Sequence, residues 1–300
     1  MSAPRFSVVI TSYNQRDFVR AALESVLSQN QMAEIIVVDD GSTDGSQALL
    51  ETYGKSIKLM KCPSNRGAIA ARNYGASLAK GEYLIFLDGD DLFMPGALEV
   101  YERIIAKFHP AIILAQRVWF EGTPPPADQN TGQKIEFVEY PQLMEKDRPY
   151  GTCASSLVVA RQTYLNVGGW SPELFQMDTV DYTTKLGYSG RTILIQAPRT
   201  VFYRVHSNNS VNNVLPFLRN GHRILRKERN LEYPGGRRHT FVRYAWLGGV
   251  VAFWVKKSFR AGFYKDALKL VADGLPMVMA ACAFRAFLLI KGRRPVQSLE

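Results

Sequence analysis

Alternation constrains this chain most. Over residues 1–120, short apolar runs take turns with stretches of helical periodicity. Phe6-Ser7-Val8-Val9-Ile10 reads as a strand, and Phe18, Ala22, Leu23, Val26 and Leu27 then recur at helical spacing. Glu34-Ile35-Ile36-Val37-Val38 is a second strand, after which Ser42 or Thr43 is the expected N-cap of a helix reaching about Tyr53. Ile57-Lys58-Leu59-Met60 is a third strand, residues 68–80 a helix, and Tyr83-Leu84-Ile85-Phe86-Leu87 a fourth strand. A helix follows Pro95, and Ala111-Ile112-Ile113-Leu114-Ala115 is a fifth strand. Parallel neighbours need a crossover connection, so this order implies a mostly parallel sheet flanked by helices, an α/β architecture.

Three strands end in polar residues. Thr11-Ser12-Tyr13-Asn14 closes the first, Asp39-Asp40-Gly41-Ser42 the second and Asp88-Gly89-Asp90-Asp91 the fourth. In an open parallel sheet these ends converge on the edge where ligands bind. Asp88 and Asp90 are spaced to share one divalent cation; Mg²⁺ or Mn²⁺ takes few protein carboxylates and completes its shell with phosphate oxygens. Taken alone, the acidic cluster also reads as a solvated turn ahead of a helix starting near Pro95. Familiar phosphate loops do not fit. No Gly-x-Gly-x-x-Gly follows the first strand, and Gly54-Lys55-Ser56 has Leu49 where a P-loop needs its first glycine.

Further along, Gly122 and Pro124 to Pro126 mark 121–150 as a loop or flap. Ser155-Ser156-Leu157-Val158-Val159 restores strand character, Gly168-Gly169-Trp170 is a turn, 178–187 a helix and Thr192-Ile193-Leu194-Ile195 a strand. Beyond about 214 the chain becomes basic, aromatic and helical, dividing it into 1–214 and an extension, 215–300. The extension holds 17 Lys and Arg against five Asp and Glu, while 1–214 holds 20 against 22; the net charge of +10 belongs to the extension. Tyr244 to Val255, followed by Lys256, Lys257 and Arg260, and Leu275 to Ile290, broken by Arg285, suit helices lying on an anionic membrane surface. A helical appendage packed on the first domain or in an oligomer is the alternative.

Apolar content of 46% and charged content of 21% are ordinary for a globular protein. Cys62, Cys153 and Cys282 form neither a metal-ligand spacing nor a disulfide framework, and no early stretch has signal-peptide order. No uncharged run reaches spanning length. A cytoplasmic protein, peripheral on the inner face of the membrane, is expected, with no nucleic-acid partner.

Several ordered motifs resemble family 2 glycosyltransferases: Val8 to Asn14, Leu23-Glu24-Ser25-Val26-Leu27-Ser28-Gln29, Ile35 to Ser46, Asn65-Arg66-Gly67-Ala68 with Ala71-Arg72-Asn73, and Gly81 to Asp91. The match extends over roughly 5–212. The resemblance implies the GT-A (Rossmann-like) fold and inverting transfer from a nucleotide-diphosphate sugar, a UDP-sugar being expected, with Mg²⁺ or Mn²⁺. Carried over by position, it assigns nucleotide contacts to Thr11, Tyr13, Asp39, Arg72, Asp88 and Gly89, and the DxD-type metal site to Asp88 and Asp90. Gly151, Ser155 to Val159 and Gly168-Gly169-Trp170 resemble the acceptor-side segment, in which Trp170 would stack on a sugar or pack in the core. Tyr203-Arg204-Val205-His206 resembles a late segment whose histidine, His206, meets the metal or the diphosphate. Asn208-Asn209-Ser210 also matches a glycosylation sequon, of no consequence to a cytosolic chain.

One motif departs from the family. Inverting transfer needs a carboxylate base, usually from Glu-Asp heading a helix. Here the segment reads Met177-Asp178-Thr179-Val180-Asp181, and ungapped alignment puts Thr179 on the base. A one-residue slide makes Asp178 the base, ahead of Asp181. Transfer to a glycan or lipid-linked acceptor in bacterial-type polysaccharide or glycoconjugate synthesis is the expectation. The alternative is a non-catalytic nucleotide-sugar binder or scaffold of the same fold.

Overall fold

The computed structural model describes residues 4–126, 132–147, 153–207 and 209–299. Gly151 and Asn208, singled out in the sequence, lie outside them, as does part of the 121–150 stretch.

The alternation folds as expected. β1 (Phe6–Ser12), β2 (Ala33–Asp39), β3 (Lys58–Lys61) and β4 (Tyr83–Asp88) pair in parallel in the order β3-β2-β1-β4. Helices α1 (Arg16–Leu27), α2 (Ser46–Glu51) and α3 (Ala68–Leu78) make the crossovers, and α4 (Ala97–Phe108) follows the short β5 (Leu92–Phe93). β1 is buried at every position, as a strand covered on both faces must be. Its alternating side chains feed two cores. Val8 and Ile10 pack with Leu23, Leu98 and Ile104 on one face, while Val9 joins Phe86, Trp170 and Tyr182 on the other. Gly75 lets α3 lie close on this sheet, since a Cβ there would sit 2.3 Å from a Val9 methyl.

Beyond β4 the sheet is mixed. β9 (Leu157–Ala160) is antiparallel to both β4 and β6 (Ile112–Leu114), β6 and β10 (Thr192–Ala197) are parallel, and β8 (Ile135–Tyr140) is antiparallel to β10. The stretch expected to be loop thus contains a strand; its Ile135, Phe137, Val138 and Tyr140 are buried. A second sheet, β5-β11-β7, joins β7 (Arg117–Phe120) and β11 (Val201–Arg204) beside the acidic strand end. α5 (Arg161–Asn166) and α6 (Asp178–Lys185) complete the N-terminal region. α2 begins later than expected, at Ser46 after a left-handed Gly45, with Asp44 accepting from the Ser46 N–H and hydroxyl.

The extension comprises α7 (Leu215–Arg229), α8 (Thr240–Arg260), α9 (Tyr264–Lys291) and β12 (Gln297–Leu299). It packs on the N-terminal region. Phe217, Leu218 and Leu225 share a core with Leu174 and Met177, and β12 closes the large sheet against β8. Arg243 and Glu228, both fully buried, pair at 2.6 Å within it. Contrary to the expectation that Arg285 interrupts the apolar run too much for a spanning length, α9 runs unbroken through Pro276 and Arg285 and is long and apolar enough, by length and composition, to cross a membrane.

Candidate active site

Strand register assembles the site. Ser12 lies level with Asp39 and Thr11 level with Asp88, so the three polar strand ends share one edge. Asp39 is fully buried. Its Oδ1 accepts from the Ser42 N–H at 2.8 Å and Gln47 Nε2 at 2.7 Å, while Oδ2 is buried without a partner. An orphaned carboxylate oxygen is costly and fits a missing donor, such as a base imide N–H. Asp40 serves the scaffold instead, accepting from the Arg66 and Gly67 N–H groups ahead of α3. Gly41, at φ +80°, could not carry a Cβ, which would lie 2.7 Å from the Ser64 carbonyl carbon. Tyr13 is 44% exposed on the loop after β1, available to a planar ligand, and Thr11 is buried.

Arg72 is the hub. Projecting from α3, it donates to Asp88 Oδ1 at 2.6 Å and to Asp178 Oδ2 at 2.8 Å, and its guanidinium lies 5.2 Å from the Trp170 ring centroid. Burial opposes its charge, but the two carboxylates outweigh that and raise its pKa. Burial also pushes the Asp178 carboxyl up, against the pull of Arg72. A carboxylate raised in this way has the character of a base.

Asp90 faces His206, with Oδ2 2.9 Å from Nε2, and His206 stacks on Phe18 at 4.9 Å. Burial and then repulsion from Asp88 raise the Asp90 carboxyl. Asp91 turns inward, accepting from the Ser155 hydroxyl at 2.6 Å and the Arg204 N–H at 3.0 Å. It therefore fixes the loop. The Gly89 N–H donates to the Thr11 carbonyl, and a Cβ at Gly89 would meet Gln15 Oε1 at 2.5 Å. Among the described residues no three His, Cys, Asp or Glu side chains gather to cage a metal unaided. Asp88 and Asp90, two mutually repelling carboxylates, suit a divalent cation that also takes diphosphate oxygens.

Two residues considered from the sequence are buried and face the core rather than the open edge. Asp181, fully buried, accepts from Ser171 at 2.6 Å, Lys227 at 2.8 Å and Tyr233 at 2.8 Å, with Lys185 at 3.3 Å. Desolvation raises its pKa, yet these partners together hold it below the ordinary value. Trp170 is 1% exposed, stacked on Tyr182 at 4.0 Å and edge-on to Phe86 at 5.3 Å, so it packs the core and meets no sugar. The sequence reading passed over an exposed aromatic on β7: Trp119, 58% exposed, lies 4.7 Å from Tyr203, with the Arg117 guanidinium over its ring. Its alternation with buried Phe120 was the available signal.

A large α/β sheet whose polar strand ends Thr11-Ser12, Asp39 and Asp88 share one edge is the architecture of the GT-A class. The chain belongs to glycosyl transferase family 2, whose family model matches residues 7–165. Over 188 residues it is 27% identical to an uncharacterized glycosyltransferase of Haemophilus influenzae, covering 60% of this chain and 61% of that one. Over 100 residues it is 41% identical to the putative teichuronic acid biosynthesis glycosyltransferase TuaG of Bacillus subtilis, covering 32% and 40%. It thus spans less than two thirds of these relatives. The fold is shared with S. aureus TarS 1–349 in complex with UDP-GlcNAc (TM-score 0.72, 18% identity, 91% of this chain and 81% of that one). It is also shared, more loosely, with the Pyrobaculum calidifontis mannosyltransferase PcManGT in complex with GDP-Man and Mn²⁺ (TM-score 0.54, 14% identity, 94% and 87%).

Proposed function

We propose that this chain is an inverting glycosyltransferase that moves a sugar from a nucleoside diphosphate, a UDP-sugar, to a hydroxyl of a glycan or lipid-linked acceptor in cell-surface polysaccharide synthesis. The observation that carries the reading is the Arg72 guanidinium, which bridges Asp88 at the diphosphate edge and Asp178. One cation thereby registers the leaving-group end of the site against the base.

In this reading Asp39 Oδ2 accepts from the nucleobase, and Tyr13 and Thr11 hold the nucleoside. Asp88 and Asp90, with His206 behind Asp90, would hold Mg²⁺ or Mn²⁺, and Gly89 keeps the loop against β1. Held there, such a cation would supply neutralisation of the charge developing on the leaving diphosphate. Asp178 accepts the acceptor hydroxyl's proton as that oxygen attacks the anomeric carbon. The new C–O bond forms on the face opposite the departing nucleoside diphosphate, so configuration inverts. Arg72 keeps Asp178 oriented, donating to its Oδ2 and leaving Oδ1 for the acceptor hydroxyl's proton. The teichuronic acid relative and the UDP-GlcNAc complex of TarS support the donor and acceptor classes.

The test is a panel of nucleotide sugars screened for thermal stabilisation with Mn²⁺, followed by NMR of the product's anomeric proton. A UDP-sugar should stabilise the protein, and the product should have the configuration opposite to the donor's. Retained configuration would overturn the mechanism. Stabilisation without turnover on any acceptor would instead make the chain a binder.

A further inference from the structure

The extension leaves a face uncovered. α9 packs one side into a seam of small residues. A Cβ on Gly248 of α8 would sit 1.9 Å from the Met277 carbonyl oxygen, and one on Gly274 would sit 3.0 Å from a Val251 methyl. Leu270 and Met277 are buried in that seam. The opposite side carries Tyr264, Leu268, Leu275 and Met279, each 49–65% exposed. From Cys282 to Lys291 every residue is at least partly exposed, and Leu289 and Ile290 reach 87% and 88%. Only 22% of the helix's most apolar stretch is buried. Contiguous exposed apolar surface on this scale marks an interaction site.

Charge selects the occupant. No acidic residue lies between Asp273 and Glu300, while Arg285, Lys291 and Arg293 stand exposed among or just beyond the apolar residues. A second copy would bring the same cations against these, and an uncharged surface would leave them without counter-ions. An anionic lipid interface accepts both the apolar side chains and the cations. The same geometry argues against crossing the bilayer. α9 is held by its seam with α8, and directly after it the Arg294 N–H donates to Asp147 while β12 pairs with β8. The chain returns to the catalytic region without having left it.

We propose that the C-terminal turns of α9, Phe287, Leu289 and Ile290 with Arg285, Lys291 and Arg293, dock the protein on an anionic membrane surface. The helix lies at the interface as part of the folded protein, presenting the catalytic region to lipid-borne molecules. This rests on the exposed face and its charge, and stands or falls independently of the sugar-transfer reading.

The experiment is flotation of the full chain with vesicles of phosphatidylcholine alone or of phosphatidylcholine containing phosphatidylglycerol. The wild type should float with the anionic vesicles, stay down with the neutral ones, and be partly released by high salt. The double variant Leu289→Asp/Ile290→Asp should lose at least tenfold in bound fraction with an unchanged Tm, because both positions are exposed. Arg285→Glu/Lys291→Glu/Arg293→Glu should likewise stay down with the anionic vesicles, with an unchanged Tm. No flotation of the wild type, or flotation of the Leu289→Asp/Ile290→Asp variant at the wild-type level, would overturn the proposal. So would a lipid-free dimer, seen by light scattering, that this double variant dissociates, since a second copy would then be the occupant.

Discussion

Asp178 and Asp181 lie one helical turn apart, and their environments predict opposite phenotypes for the same substitution. Asp178 is raised by burial, so its ionised form is a burden to the fold, and Asp178→Asn leaves Arg72 still paired with Asp88 at 2.6 Å. Its Tm should therefore hold or rise slightly. Loss of a general base should cost turnover by about 10²- to 10⁴-fold. Asp181 is held in its ionised form by Lys227, Lys185, Tyr233 and Ser171. Asp181→Asn strips a fully buried carboxylate from two lysines that are themselves only 18–19% exposed. Removing one partner of such a network costs about 3–5 kcal/mol, which for a chain of this size lowers Tm on the order of 10 °C. The assays are differential scanning fluorimetry of both variants and donor turnover at a temperature where both remain folded. An Asp181→Asn variant with wild-type Tm and no turnover, beside a fully active Asp178→Asn, would refute the reasoning.

The Asp181 network also sets a pH dependence. Because its folded pKa lies below the ordinary aspartate value of 3.8, its stabilisation is complete above that value and is lost as pH falls through the lower folded one. Acid titration of Tm should thus be flatter at its low end for Asp181→Asn than for the wild type. Asp39→Ala removes the orphaned Oδ2 and should weaken UDP binding about tenfold or more in calorimetry, consistent with loss of a charge-assisted hydrogen bond worth about 1.5–3 kcal/mol. Trp170→Ala should cost about 3–5 kcal/mol in urea unfolding as a core truncation, and a Tm within a degree of wild type would contradict its burial. Trp119→Ala should leave Tm unchanged and raise the acceptor KM with little effect on donor KM, if its exposed ring beside Tyr203 receives the acceptor.

Much of this protein was legible in its sequence because local signals and tertiary outcome agreed. The apolar runs at 6–10, 34–38 and 83–87 each become a fully or largely buried parallel strand, and the polar residues ending them meet because parallel strands bring like ends to one edge. Family motifs then give those ends their chemistry. Where pairing is distant, the sequence is silent. β8 lies in a stretch rich in proline and polar residues and becomes a strand only because β10 and β12 flank it. Ser42 looks like a helix cap, yet the pull of Asp39 uses its N–H and the helix starts at Ser46.

The sequence by itself determined the fold class, the acidic turn after the fourth strand and the basic extension, since each is written in contiguous residues. Alignment already ranked Asp178 ahead of Asp181, but only the tertiary structure gave the two different surroundings. Both are aspartates on one short helix, and their difference comes from Arg72, 106 residues away, and from Lys227 and Tyr233, 46 and 52 residues away. It alone buried Trp170 and exposed Trp119. It also tied α9 back to the large sheet through β12, so that an apolar helix of spanning length remains part of the folded domain. Composition states what a segment is made of; burial and partnership depend on what the rest of the chain brings beside it.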